Sequence, residues 1–155
     1  MREILFRGFH PCDGPEIIVV DGEKVVGRWV QGSLVSFADG GRAILPSKTV
    51  VLQQEGTTLL LTKESLEVIL STVGQYTGLT DKNGKRIFEG DIVTTDLKRP
   101  YLIVEFRDAC FMFNCNDGDK DYYDIFLPIT NTAHTEYQYG EVIGTIFDEV
   151  AQHEN

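Results

Sequence analysis

The stretch Val73-Gly-Gln-Tyr-Thr-Gly-Leu-Thr-Asp-Lys-Asn-Gly-Lys-Arg-Ile-Phe-Glu-Gly-Asp-Ile-Val93 decides how the rest of the chain is read. It carries glycine-centred turns at Gly78, Gly84 and Gly90, the last opening directly into Asp91-Ile92-Val93. Turns spaced this closely leave room only for short strands joined directly to one another. Asn83-Gly84, between Lys82 and Lys85, is a strong hairpin signal, because a type I′ turn needs positive φ at both central residues and Asn and Gly tolerate it best. Tyr76-Thr77-Gly78-Leu79 reads as a second turn. Ile87-Phe88 then meets the corner Glu89-Gly90-Asp91, where the Asp91 carboxylate can tie back the turn backbone before the next strand begins.

Two further stretches accompany this block: Arg2-Glu-Ile-Leu-Phe-Arg-Gly8 near the start and Glu141-Val-Ile-Gly-Thr-Ile-Phe147 near the end. Together the three resemble the YopX family of phage and prophage proteins, with its VGQYTGL, NG and IFEGDIV signature, its REI-FRG opening and its closing EVIGNIY-type strand. Residues 9 to 70 depart from the pattern. There the family's WVYGSL-type strand survives as Trp29-Val-Gln-Gly-Ser-Leu34, with added strand-like sequence on both sides. The resemblance implies a single YopX-like domain over 1–155 and a phage or prophage setting, but supplies no catalytic or binding residues. The Gly-Asp strand entry is also a common opening of small SH3-like barrels, which suggests a fold for the second half and says nothing of function.

The chain has 155 residues, of which 42% are hydrophobic and 25% charged, with 15 Gly against 5 Pro. That composition suits a globular protein rich in turns, large enough to bury a core without staples. There is no apolar run near the ~18 residues of a membrane span and no secretory pattern, so a cytoplasmic location is expected. Fourteen Lys and Arg against 24 Asp and Glu give a net charge of −10, which opposes unaided binding to a phosphate backbone. Lys82, Lys85 and Arg86 form a local basic group, but beside turn signals they read as solvated charges. Three cysteines without a secretory signal suit reduced thiols.

Along the chain, residues 2 to 7 begin a strand and Phe9 to Pro15, with two prolines and a glycine, reads as a loop. Ile17 to Val20 and Glu23 to Val26 flank Asp21-Gly22, a favoured two-residue hairpin connection. A strand from Arg28 to Phe37 follows, with Trp29, Val35 and Phe37 on one face and Val30 and Leu34 on the other. Ala38 to Gly41 then turns it into Arg42 to Leu45. Val50 to Leu52 and Thr58 to Leu61 surround Gln53 to Gly56 as another hairpin. Thr62 to Leu70 fits either a short helix capped by Thr62 or a strand with Leu66, Val68 and Leu70 inward, and the family likeness favours the strand. Later strands are expected at Tyr101 to Arg107, with Leu102, Val104 and Phe106 buried, at Phe111 to Phe113, at Tyr122 to Leu127 and at Val142 to Phe147. The sum is a mainly β chain of antiparallel hairpins, with subdomains at 1–71 and 72–150 and an SH3-like barrel or pseudobarrel in the second.

Each candidate for chemistry has a plainer explanation. Asp117, Asp119 and Asp121, with Asp124 nearby, resemble the first ligands of a calcium loop, but Tyr122 stands where that loop needs glycine and Pro128 where it needs glutamate. A solvated hairpin tip fits better. His10, Cys12, Cys110 and Cys115 supply the four soft ligands of a structural zinc. The two later thiols are five apart, however, so on one continuous strand they fall on opposite faces, and Cys110 reads as a small buried hydrophobe. His10, His134 and His153 stand in no nucleophile-elbow context, and no phosphate-cradling glycine loop is present. Glu89 and Asp91 are explained by turn chemistry. No catalytic, cofactor-binding or metal residue is therefore assigned.

Tyr76, Phe88, Tyr101, Phe111, Phe113, Tyr122, Tyr123 and Phe126 are expected mostly in the core, any exposed ones suiting a peptide or another subunit. The leading expectation is a non-catalytic binding or interaction module, a homo-oligomer that meets a host or phage protein, with neither membrane nor nucleic acid as partner. The competing classes are a metal-dependent hydrolase built on Glu89, Asp91 or the 117 to 124 acidic run, and an acidic mimic of nucleic acid that inhibits a host protein. Strands 50–52 and 58–61 lack the charges or prolines that guard a sheet edge, which places the oligomer contact in the first half, near Leu60.

Overall fold

A computed structural model describes residues 3–46, 51–54, 57–60, 66–94, 102–116, 121–125 and 140–149. The chain is mainly β, and every strand pair is antiparallel. It divides into two compact units, Ile4–Gln75, and Tyr76–Asn155 together with Met1–Glu3.

The first unit holds β1 (Phe6–Val20), β2 (Glu23–Ser36), β3 (Arg42–Pro46), β4 (Val51–Gln54), β5 (Thr57–Leu60) and β6 (Leu66–Glu67). Its main sheet runs β6-β3-β2-β1, and Gly74 and Gln75, the first residues of β7 (Gly74–Thr80), pair beside β1. The β1–β2 hairpin turns on Asp21 at φ 52° and Gly22 at φ 82°, the two positive angles that a type I′ connection demands. The expected loop at Phe9 to Pro15 is instead part of β1. Pro11 and Glu16 both stand opposite Gly27, so the four residues between them form a bulge and the strand resumes beyond it. Glycine makes this feasible, since a Cβ at Gly14 would overlap the Gly27 carbonyl and one at Gly27 would overlap the His10 carbonyl.

Val30, Ile44 and Val68 form a core cluster here, packed by Phe6, Leu34, Leu66 and Val73. The expected strand over 62–70 is reduced to β6, because a 3₁₀ turn at Leu70–Thr72 rotates Leu70 outward to 58% exposure. Phe37 is likewise exposed, standing past the end of β2 at the turn. Strands β4 and β5 pair with each other, Val51 opposite Leu60 and Gln54 opposite Thr57, as a two-stranded ribbon.

The second unit holds the rest of β7, then β8 (Arg86–Phe88), β9 (Asp91–Thr94), β10 (Leu102–Arg107), β11 (Cys110–Asn116), β12 (Asp121–Ile125) and β13 (Glu141–Thr145). Five of these form a sheet of order β12-β11-β10-β9-β13. Among the described residues it is open, with β12 and β13 as its edges, so the expected barrel is not closed. Its core is Ile87, Val93, Leu102, Val104, Phe113 and Val142, with Leu79 and Phe111 packed against it. Full burial of an aliphatic or Phe side chain contributes roughly 1.5–3 kcal/mol.

Three local expectations are corrected here. Tyr76 to Leu79 is a bulge within β7, with Gly78 at φ 89° and the register against β8 shifting between Tyr76 and Thr80. Phe106 is 51% exposed, because β9 pairs only as far as Ile103 and leaves the outer end of the β10–β11 hairpin without a neighbour on that side. That hairpin turns on Asp108 and Ala109, at φ 51° and 64°, a pair without glycine that gave no turn signal. Cys110 beside it is half-buried and donates its thiol proton to the Arg107 carbonyl at 3.3 Å, so it is not an inert core residue.

Candidate functional site

The signature stretch forms a set of turns held by buried carboxylates. Asp81 occupies the first position of a turn whose Gly84 N–H donates to the Asp81 carbonyl at 2.9 Å, closed by the Asp81 N–H on the Lys85 carbonyl at 2.8 Å. Only Gly84, at φ 79°, adopts positive φ; Asn83 does not, so the expected type I′ turn is corrected to a type I turn followed by a left-handed glycine. The cause is the Asp81 side chain. Its Oδ1 accepts the N–H groups of both Asn83 and Lys85 at 2.9 Å, which fixes their directions, and its Oδ2 accepts Val142 N–H of β13 at 3.0 Å. Burial raises the Asp81 pKa, but the amides of Val142, Lys85 and Asn83 and the Lys85 charge outweigh it and leave the carboxyl below its ordinary 3.8.

Asp91 repeats the device at the next corner. It is fully buried, and its Oδ2 accepts Phe88 N–H at 2.8 Å across Gly90, which sits at φ 87°. Gly90 in turn donates to the Val104 carbonyl and accepts from Ile146 N–H, joining β10 and the end of β13 to one corner. The tie expected of Asp91 is present. A third carboxylate, Asp148, accepts Thr145 N–H at 2.8 Å through Oδ2 and meets the Thr145 hydroxyl at 3.1 Å through Oδ1. Sequence reading passed over Asp81 and Asp148. An Asp at the first position of a type I turn was the available signal for Asp81.

The remaining sequence candidates are not brought together. Lys82 pairs with Glu141 at 3.2 Å, and Arg86 lies 3.4 Å from Glu3 with its guanidinium 5.6 Å from the Tyr76 ring centre, so two of the three basic residues already face a carboxylate. Cys12 belongs to the first unit and Cys110 to the second. The β11 register from Cys110 to Cys115 contains no bulge, the condition on which the opposite-face argument rested. Asp121 and Asp124 lie in β12, while Asp117, Asp119, His134 and His153 lie outside the described residues. Among the described residues no group of three or more His, Cys, Asp or Glu side chains is arranged for a metal ion.

Of the aromatic residues, Tyr76, Phe88 and Phe113 are buried and Phe111 is half-buried, set edge-on to exposed Phe106 at 5.1 Å; Tyr101, Tyr122, Tyr123 and Phe126 have no described side chain. In the first unit Arg7, 6% exposed, lies over Trp29 at 4.6 Å, and Phe9 meets the same ring edge-on at 5.3 Å. His10 donates through Nδ1 to the Glu67 carbonyl at 2.7 Å, a bond within the fold rather than toward a ligand.

These features define an antiparallel β protein whose signature residues shape and hold turns. The sequence matches the family described as YopX protein over residues 28–151, most of its length, and the chain belongs to that family. No curated protein matches it. Among the described residues no helix is long and apolar enough to cross a membrane.

Proposed function

We propose that this chain is a non-catalytic binding or interaction protein of phage or prophage origin. The observation that carries the reading is the use made of the carboxylates in the family signature. Asp91 is fully buried with its Oδ2 on Phe88 N–H, and Asp81 gives both oxygens to backbone amides. A carboxylate that acts as general base or metal ligand must present an oxygen to substrate or ion. The strand order of the second unit, five consecutive strands with the last returning beside the first, supports its kinship with SH3-like sheets, which serve commonly as recognition surfaces.

The test is turnover. Purified full-length protein is incubated with nucleotides, single- and double-stranded nucleic acid and a peptide mixture, with Mg²⁺ and Mn²⁺ present. No turnover above buffer is expected. A rate that Glu89→Gln or Asp124→Asn abolishes, in protein that remains folded by circular dichroism, would replace this reading with a hydrolase.

A further inference from the structure

The sheet edges of the two units are treated very differently. At β13, Val142 N–H is taken by Asp81, Thr145 N–H by Asp148, and the Gly140 carbonyl by Lys82 N–H. The opposite edge, β12, carries Asp121 and Asp124 in its sequence, and β6, at the border of the first unit's main sheet, is two residues long. Shortness, charge and side-chain tethers are the ordinary means by which proteins keep sheet edges from pairing.

The β4–β5 ribbon has none of them. Its strands read Val-Leu-Gln-Gln and Thr-Thr-Leu-Leu, without charge or proline, and among the described residues they share a sheet only with each other. By register, Val51–Leu60 and Leu52–Leu59 are consecutive cross-strand pairs, and consecutive pairs fall on opposite faces. Covering one face therefore leaves an apolar pair on the other. A two-stranded ribbon by itself is marginal in water and needs a third strand or a packed face.

We propose that a second copy of this chain supplies that cover, with the β4–β5 ribbon as the dimer contact. Charge selects the occupant. In a two-fold contact a surface patch meets itself, so every charge it carries is set against its own kind. On a chain of net charge −10, strands without charge can meet themselves without that repulsion. The geometry agrees, since an outer strand of the ribbon pairs antiparallel with its own copy across a two-fold axis. The inference rests on reading the protein as an interaction module and names one partner for it.

The experiment uses the full chain in light scattering and hydrogen exchange over a concentration series. Wild type is expected to show about twice the 17.4 kDa chain mass at micromolar concentration, with amides of 51–54 and 57–60 gaining protection as concentration rises. Gln53→Lys adds a charge at a polar position and should weaken dimerisation roughly tenfold or more with circular dichroism unchanged. Leu60→Lys should weaken it further. A wild type that stays monomeric, or ribbon amides protected equally at every concentration together with an unfolded Leu60→Lys, would overturn the proposal. Either result leaves the non-catalytic reading to its own turnover test.

Discussion

Strand β13 and the β4–β5 ribbon both lie at the border of a sheet, one covered by its own chain and the other bare. At β13 the tethers come from residues close to turns: Asp81 from the β7–β8 connection and Asp148 from the turn that follows the strand itself. The ribbon's neighbours in sequence supply nothing of the kind among the described residues. The difference shows where the fold completes itself and where an outside surface has to. If it is sound, removing a tether should injure the second unit in proportion to the amides it leaves without a partner.

The largest effect is expected at Asp81. Asp81→Ala strips an acceptor from Val142, Asn83 and Lys85 at once, and should destabilise by about 3 kcal/mol in urea unfolding, since each buried donor left unsatisfied costs roughly 1–3 kcal/mol and the exposed ones rehydrate. Asp81→Asn keeps one carbonyl oxygen and should fall between. Because the folded pKa is depressed, the stabilisation from Asp81 is complete above the ordinary 3.8 and is lost as pH falls through the lowered value. The stability gap between wild type and Asp81→Asn should therefore be flat near neutrality and close only in acid. A gap that already narrows between pH 7 and 5 would mean another group is responsible.

Asp91→Ala should cost about 2 kcal/mol, with one buried amide of Phe88 losing its acceptor in a fully enclosed site. A change under half a kcal/mol would show the corner to be held by Gly90 and its two backbone bonds instead. Gly84→Val should follow at about 1–2 kcal/mol, because a β-branched residue is strained at φ 79°, whereas Gly84→Asn should cost much less. No atom lies within 4 Å of a Cβ built at Gly84, so the contrast reads backbone strain alone. Equal melting temperatures for the two variants would remove the left-handed turn from the account.

How much of this was legible in the sequence depended on whether one residue or a distant partner set the geometry. Asp21-Gly22 specifies its turn by itself, and both residues take the positive φ that the pair implies. Asn83-Gly84 is as strong a local signal, yet Asn83 is overruled by a carboxylate two positions earlier that takes its amide. The prolines and glycine of residues 9 to 15 look like a break in structure. They form a bulge because Gly27, far along the chain, lets the two backbones approach. Phe106 follows the correct alternation on a strand that outruns its neighbour, and no periodicity reports where a neighbour ends. For the candidate site, Asp91 was legible because its partner lies three residues away, whereas the Asp81 bond to Val142 spans 61.

The smallest effect on stability, and the closest test of the comparison, is expected at Asp148. Its contacts with Thr145 are only partly buried, so after Asp148→Ala water can replace the carboxylate at the amide, and the loss should be about 0.5–1 kcal/mol. The consequence for association should be larger than that figure suggests. The change bares a backbone donor on β13 beside Ile143, which is already 55% exposed, and removes one negative charge from the same edge. The edge then resembles the ribbon in being uncapped and nearly neutral. Light scattering of Asp148→Ala should show association beyond the wild-type species at high protein concentration, and Asp148→Asn, which retains an acceptor oxygen for Thr145, should show less. If both variants scatter like wild type while unfolding slightly earlier in urea, the carboxylate serves only the local turn, and edge protection at β13 rests on Asp81 alone.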